Sequence, residues 1–242
     1  MKRINKDKKM KLFFIVSVIA LMMLSCGGRQ VNQKQINQEE FDQEPEETQP
    51  DYSEIYTGEA LKAMQAYKAV LLNEAPFYDV YEEKDCKLNE LECKDYITWE
   101  PIGVARFAVV DMDEDGMPEA VFDFGDVSCK SYILHYEEGK VYGFSTTYMC
   151  DLTNDGWSKQ TDDRTALFFE YYQTKSVTKD GFQQELFAAQ GYDRFDTGEH
   201  IYSLHGEAVS EHVFEEFLDA FGERENRAVW HDFTEENVAW VF

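Results

Sequence analysis

The sequence predicts an α+β fold in which an antiparallel sheet of about six or seven strands is accompanied by an N-terminal helix and by C-terminal helices. Apolar residues recur at helical spacing near residues 61–71 and again near residues 213–221. Between these stretches lie short segments rich in Val, Phe, Tyr and Ile, a composition typical of strands. A turn sequence at residues 137–140 separates two of the segments, and strands joined by such a turn pair antiparallel.

Two stripes of apolar side chains predict the main helices. The first stripe consists of Leu61, Met64, Tyr67 and Leu71, and only Lys68 interrupts it. The second consists of Val213, Phe214, Phe217, Leu218 and Phe221. Ser210 precedes the second stripe as an N-cap, and Gly222 follows it where a helix ends. Thr234 predicts the start of a last short helix that ends near Trp240.

Seven segments predict the strands. They lie at about 104–110, 119–124, 130–136, 140–149, 165–173, 182–189 and 199–205. Several of them alternate apolar with polar side chains, as expected for strands with one buried face. The turn at residues 137–140 predicts that the third and fourth segments form a hairpin.

The N-terminus has the layout of an export signal. Six Lys and Arg residues in the first 11 positions precede 13 apolar or small residues at positions 12–24. A helix of that length spans about 20 Å, which is shorter than the roughly 30 Å hydrocarbon core of a bilayer. The stretch at residues 23–26, Met-Leu-Ser-Cys, resembles the lipobox of bacterial lipoproteins. The resemblance implies that Cys26 is lipidated and anchors the chain to the extracytoplasmic face of the cell membrane; the alternative is a plain secretory signal with an incidental cysteine.

This leader gives a three-part organisation: a signal peptide at residues 1–25, the lipidated Cys26 with a polar stalk at residues 26–53, and an α+β domain at residues 54–242. The stalk is dominated by Gln, Asn and Glu, so it buries too little apolar surface to offset the entropy of ordering it. We therefore expect it to be flexible.

The charge of the chain limits its partners. Residues 1–25 hold six of the 23 basic residues and one of the 48 acidic residues, so the remaining chain has a formal charge of −30. Such a surface repels nucleic acid and anionic lipid headgroups and attracts cations. We expect no nucleic-acid partner.

Four cysteines follow Cys26, namely Cys86, Cys93, Cys129 and Cys150. An even number in an exported chain predicts two disulfides, for which three connectivities exist. Local pairing, Cys86 with Cys93 and Cys129 with Cys150, is the expected arrangement, because the second pair brackets the turn at residues 137–140. The alternative is four reduced, buried thiols.

One short segment carries ligand chemistry. Between the first two predicted strands, carboxylates alternate at Asp111, Asp113 and Asp115, and Gly116 permits a sharp turn. The three aspartates would bind a hard cation through their side chains, Met117 through its carbonyl, and Glu119 directly or through water.

The cation expected in this loop is one calcium ion. An EF-hand would need an acidic residue at loop position twelve, where this chain has Phe122. The pattern Asp-x-Asp-x-Asp-Gly-x-x-Glu between strands instead resembles the calcium loops of FG-GAP and VCBS repeats. The alternative is an Asp-rich turn that binds no metal. A weaker version of the pattern, Asp151 to Gly156, has Lys159 in the place of Glu119 and predicts a simple turn.

Other candidate sites have less support. His200, His205 and His212, with Glu207 and Glu211, suggest zinc, but their spacing fits neither one strand face nor one helical pair. Five aromatic residues are candidates for a sugar or peptide platform, although aromatic residues on strands are mostly core: Trp99, Trp157, Tyr171, Tyr172 and Tyr192. No Gly-x-Ser-x-Gly elbow supports a serine hydrolase, and no catalytic residue is predicted.

The lipobox, the stalk, the Asp loop between strands and the aromatic C-terminal helical segment together resemble uncharacterised lipoproteins of Gram-positive bacteria. That resemblance implies no known reaction. The expected function is a membrane-anchored binding or interaction module with a structural calcium loop, whose protein or glycan ligand is unknown. The alternatives are a cell-surface hydrolase that acts on glycans through paired carboxylates and a purely structural envelope protein.

Overall fold

A computed structural model describes residues 55–95, 97–161, 168–192, 200–222 and 226–242. All of these residues belong to a single compact unit. The predicted signal peptide, Cys26 and the predicted stalk lie outside the described residues.

Three α-helices and one short 3₁₀ helix are present in the described residues. They are α1 (Gly58–Leu71), the 3₁₀ turn (Leu88–Glu90), α2 (Glu211–Gly222) and α3 (Glu235–Val241). The Thr234 hydroxyl accepts a hydrogen bond from the Asn237 N–H at 3.0 Å, so the predicted cap of the last helix is confirmed.

Thirteen strands occur in the described residues. In chain order they are β1 (Phe77–Asp79), β2 (Lys84–Cys86), β3 (Arg106–Val110), β4 (Glu119–Asp123), β5 (Ser131–Glu137), β6 (Lys140–Thr146), β7 (Tyr148–Leu152), β8 (Trp157–Thr161), β9 (Phe169–Thr178), β10 (Gly181–Tyr192), β11 (His200–Leu204), β12 (Glu207–Ala208) and β13 (His231–Asp232).

The strands form two sheets. The first has seven strands in the order β13-β3-β4-β5-β6-β1-β2, and the second has six in the order β12-β11-β10-β9-β8-β7. Neighbouring strands pair antiparallel except for β1 and β6, which are parallel. The predicted hairpin of β5 and β6 is confirmed, with Glu137 paired to Lys140 across the turn.

The α+β class, the mainly antiparallel pairing and the helices at both ends are therefore confirmed. The division into two sheets occurs at Thr147, the single residue between β6 and β7. The Thr146 and Thr147 hydroxyls both donate to the buried Gln160 side-chain oxygen, at 2.9 and 2.8 Å. The predicted strand at residues 140–149 ran through this corner, and β8 was not predicted, so strand-like composition carried no signal for the change of sheet.

Apolar side chains fill three layers. Helices α1 and α3 pack on the first sheet through Tyr67, Phe107 and Phe122, among others. A second cluster joins the two sheets, with Val121 and Ile133 from the first sheet, Met112 from the loop after β3, and Met149, Leu152 and Val177 from the second sheet. Helix α2 covers the second sheet with Phe214 and Phe221 against Trp157 and Tyr171.

The expected local disulfides are wrong. Cys93 is bonded to Cys129 across 36 positions of sequence, whereas Cys86 and Cys150 are free thiols. Cys150 lies on β7 in the second sheet, so it is not part of the hairpin that was expected to bring it to Cys129. Closing a loop of this length should stabilise the fold by about 3 to 4 kcal/mol in the chain-entropy model.

Candidate metal site

The Asp loop joins β3 to β4, two adjacent strands of the first sheet. Val110 at the end of β3 pairs with Glu119 at the start of β4, so the intervening residues 111–118 form a closed hairpin loop. Every residue of β4 is buried. The two strands therefore give the loop a rigid base.

The loop brings the three predicted aspartates together. One carboxylate oxygen from each of Asp111, Asp113 and Asp115 can be chosen so that all three lie within 4.8 Å of one another. Within the described residues this is the only such group of three or more His, Cys, Asp and Glu side chains. Three convergent carboxylate oxygens form the donor set that hard cations prefer.

Backbone N–H groups hold the carboxylates in place. Asp111 accepts from the Asp115 N–H at 3.0 Å through Oδ1 and from the Gly116 N–H at 2.9 Å through Oδ2. Asp115 Oδ1 accepts from the Met117 N–H at 2.7 Å. Gly116 has a φ of +87°, which explains why the loop has glycine there.

Asp113 connects the loop to the second sheet. Its Oδ2 accepts a hydrogen bond of 2.7 Å from the N–H of Val177 on β9. Its Oδ1 is buried and has no hydrogen-bond partner in the described residues. A buried carboxylate oxygen without a partner is costly, and a bound cation would satisfy it.

Burial also raises the pKa of Asp111, and the neighbouring Asp115 and Asp113 raise it further, against the hydrogen bonds from the Gly116 and Asp115 N–H groups. Clustered carboxylates repel one another when they are ionised. A bound cation would reverse this effect because it favours the charged forms.

Glu119 is not a member of the convergent group. Its side chain is fully buried; Oε2 accepts from the Met112 N–H at 2.9 Å, and Oε1 is hydrogen-bonded to His135 Nδ1 at 3.0 Å. Burial raises the pKa of Glu119 to about 7, against the hydrogen bonds from His135 and Met112. Of the five predicted ligands, the structure thus brings three together and places Glu119 beneath the loop, while the Met117 carbonyl stays a predicted ligand.

Sequence reasoning missed His135. It lies on β5, and its Nε2 is 3.8 Å from Glu137 Oε2. His135, Asp115, Met117 and Glu137 are among the residues that line a cavity of about 300 Å³ beside the loop. The alternation of β5 predicts a buried side chain at position 135, but it does not indicate which carboxylate that side chain meets.

The second Asp-Gly segment is built differently. Asp151 forms an ion pair with Arg227, and its Oδ1 accepts from the Leu152 N–H at 3.0 Å. Asn154 donates through Nδ2 to Asn226 Oδ1 at 3.0 Å. These polar groups bind the C-terminal segment of the chain, in agreement with the prediction of a turn.

The remaining candidates are dispersed. His205 packs against the Phe187 ring, and His212 is 3.7 Å from Glu216, its neighbour on α2. Trp157 and Tyr171 are core residues, which excludes them from an aromatic platform. Trp99 is exposed, Tyr172 donates its hydroxyl to Glu170, and the side chain of Tyr192 lies outside the description.

Comparisons with protein-family models, with curated proteins and with solved structures find no match to this chain. In the part of the chain that the structure describes, no helix is both long enough and apolar enough to cross a bilayer.

Proposed function

We propose that this chain is an extracytoplasmic lipoprotein, anchored through Cys26, whose folded domain holds one calcium ion in the Asp loop and acts as a binding or interaction module. The observation that carries the calcium part is the convergence of Asp111, Asp113 and Asp115 in a hairpin loop. The anchoring part is supported by the lipobox-like sequence that ends at Cys26.

Calcium suits this loop better than a softer metal. All three candidate side chains offer carboxylate oxygens, and neither His nor Cys belongs to the group. Calcium accepts six to eight oxygen ligands in flexible geometry, so the Met117 carbonyl and water would complete its shell. Magnesium requires a tighter octahedron and loses its water reluctantly.

The ion would be structural. The loop contacts the second sheet through the bond from Val177 to Asp113, and Met112 inside the loop is part of the core between the sheets. Cation binding would neutralise the repulsion among the aspartates at this joint. The folded state would bind the ion and the unfolded chain would not, so calcium should stabilise the domain.

Thermal unfolding in calcium and in chelator tests this proposal. A hundredfold excess of calcium over its Kd should stabilise the folded state by about 2.7 kcal/mol and raise the Tm, and magnesium should do less. Asp113→Asn should abolish the calcium-dependent rise in Tm, because it removes the negative charge of one ligand. The asparagine keeps an oxygen that can accept the hydrogen bond from the Val177 N–H.

The control variant is Asp155→Asn in the second Asp-Gly segment, at the position that corresponds to Asp115, and it should leave the calcium-dependent rise in place. Identical melting curves of the wild type in calcium and in chelator would show that the Asp loop is only a turn.

The anchor is tested separately by metabolic labelling with a fatty-acid analogue. The wild type should be labelled and should partition with membranes, whereas Cys26→Ala should remain unlabelled. An unlabelled wild-type protein would refute the anchoring part and leave the calcium part untouched.

A further inference from the structure

A tip loop, which the structure describes at residue 95 and at residues 97–101, exposes two large apolar side chains. The exposed fraction is 84% for Ile97 and 73% for Trp99. An isolated β-bridge between Lys94 and Pro101 closes the loop at its base. Trp99 is the most exposed of the four tryptophans, since Trp157 is buried and Trp230 and Trp240 are half-buried.

Hydrogen bonds hold the tip loop in this shape. Asp95 Oδ1 accepts from the N–H groups of Ile97 at 2.9 Å and Thr98 at 2.6 Å, and from the Thr98 hydroxyl at 2.9 Å. These bonds lower the pKa of Asp95. The Trp99 N–H donates to the Asp95 carbonyl at 2.9 Å, and the Asp95 N–H donates to the Glu100 carbonyl at 2.9 Å. Hydrogen bonds therefore hold the described backbone that carries Ile97 and Trp99.

The backbone of the tip is strained where the tryptophan is displayed. Trp99 has a φ of +62°, a left-handed conformation that costs a bulky residue roughly 1 to 2 kcal/mol. The Cys93–Cys129 disulfide and the hydrogen bond from the Ile102 N–H to the Cys93 carbonyl fasten the base of the loop. Backbone strain is found mainly at functional sites, so strain at a residue with an exposed aromatic ring points to a contact made by that ring.

The charges near the tip loop are mixed, although the domain as a whole is strongly acidic. Lys94 and Lys130 lie beside the disulfide, where both line a cavity of about 320 Å³ together with Glu92. Glu100 belongs to the loop itself, and the carboxylate of Asp95 accepts hydrogen bonds from the N–H groups of Ile97 and Thr98. Two basic residues thus offset part of the charge of the three nearby acids, so the repulsion expected from the whole domain is weakened at this point.

The predicted tether would keep this loop close to a membrane. Twenty-eight residues separate Cys26 from Ile55. A flexible chain of that length has an r.m.s. end-to-end distance of roughly 30 Å. A tether this short gives an effective concentration near the millimolar range, so a weak contact with the membrane would be well populated.

We propose that the tip loop inserts Ile97 and Trp99 into the headgroup region of the bilayer and so fixes the orientation of the domain on the membrane. Tryptophan suits this region because its ring is apolar and its N–H can bond to headgroups or water. The proposal rests on the proposed lipid anchor, which supplies the proximity. The contact itself belongs to the loop and can be measured without the lipid.

The test uses the secreted form, residues 27–242, which includes every described residue and lacks the lipidated cysteine. It is mixed with zwitterionic phosphatidylcholine vesicles at millimolar lipid, some with brominated acyl chains that quench tryptophan fluorescence. The wild type should sediment with the vesicles and be quenched. Trp99→Ala should lower the partition of the protein into the vesicles by about tenfold, because the ring that the bilayer would bury is removed.

Two variants sharpen this test. Val229→Ala removes a side chain that is 65% exposed elsewhere in the chain and should leave the partition unchanged. Trp99→Phe should still bind but lose most of the quenching, which assigns the signal to this tryptophan. Trp99→Gly checks folding, because glycine relieves the positive φ and should leave the Tm unchanged or raise it.

Several results would overturn the proposal. Equal partition of the wild type and Trp99→Ala would do so, as would no binding at millimolar lipid or quenching that persists in Trp99→Phe. Concentration-dependent shielding of Trp99 from iodide without vesicles, accompanied by dimers, would instead assign the tip loop to contact with a second copy. Neither labelling of Cys26 nor calcium-dependent melting depends on this outcome, so failure of the proposed function would be seen separately.

Discussion

The two Asp-Gly loops of this protein begin with similar sequences and have different environments. In residues 111–119, one oxygen from each of three carboxylates converges, and each carboxylate accepts hydrogen bonds from neutral backbone N–H groups. In residues 151–159, the first carboxylate, Asp151, forms an ion pair with Arg227. The side-chain amide of Asn154 donates a hydrogen bond to Asn226. At the last position of the pattern, Glu119 of the first loop is buried and hydrogen-bonded to His135. Lys159 of the second loop instead places its ammonium 4.0 Å from the centre of the Phe169 ring.

The two loops differ in the partners of their carboxylates and also in their spacing, because Thr153 stands where the first loop has Asp113. A carboxylate that already has a cationic partner gains little from a metal ion, whereas a convergent group without one gains much. The C-terminal segment at residues 226–228 supplies the partners of the second loop, and it lies more than 70 positions away in sequence.

The two loops also touch. A Cβ on Gly156 would collide with the carbonyl oxygen of Met112, and Gly156 itself accepts from the Thr174 N–H at 3.0 Å through its own carbonyl. Both loops thus meet at the joint between the two sheets. Variants of either loop should therefore affect stability, but only those of the first should affect the response to calcium.

The largest expected effect is the change in stability with pH that Glu119 causes. It is specific to the first loop, because the second loop has no buried carboxylate at the matching position. Burial raises the pKa of Glu119 from 4.5 to about 7, so between these values the folded state binds more protons than the unfolded state. Stability in chelator should fall as the pH rises through this interval, by on the order of 3 kcal/mol, and level off above it. Urea unfolding of the wild type and Glu119→Gln at pH 5 and pH 8 measures this.

The quantity to compare is the loss of stability between pH 5 and pH 8 in the wild type and in Glu119→Gln. The comparison is needed because other carboxylates also titrate in this interval. Glu119→Gln should lose much less stability than the wild type on going from pH 5 to pH 8. An equal loss in both would mean that another group, and not Glu119, governs the pH dependence of the joint.

The next effect compares the turn glycines of the two loops. Gly156→Ala meets both a positive φ of +75° and the Met112 carbonyl, and it should cost about 3 kcal/mol. Gly116→Ala meets a positive φ of +87° with no atom within 4 Å, and it should cost about 1 kcal/mol. Chemical denaturation gives both values, and equal costs would contradict the close contact between the loops.

The smallest effect concerns the ion pair of the second loop. The Asp151 side chain is 24% exposed and that of Arg227 is 48% exposed, so Asp151→Asn should cost about 1 kcal/mol or less. The calcium-dependent rise in Tm should be the same as in the wild type. A reduced rise would show that the second loop contributes to cation binding, and the contrast between the two loops would then fail.

Local patterns in the sequence predicted the local structure. The helical stripes identified α1 and α2, the turn at residues 137–140 identified the hairpin of β5 and β6, and the alternating aspartates identified the loop whose carboxylates converge. Each of these signals depends on residues within about one turn or one hairpin of each other, where spacing alone determines which side chains share a face.

Contacts between distant residues were decided by the tertiary structure alone. The division into two sheets at Thr147, the bond between Cys93 and Cys129, and the burial of Glu119 against His135 have no local sequence signal. The same holds for Arg227, which neutralises one Asp-Gly loop and leaves the other free to bind a cation. Periodicity shows which face of a strand is buried, but the identity of the side chain opposite depends on how the whole chain packs.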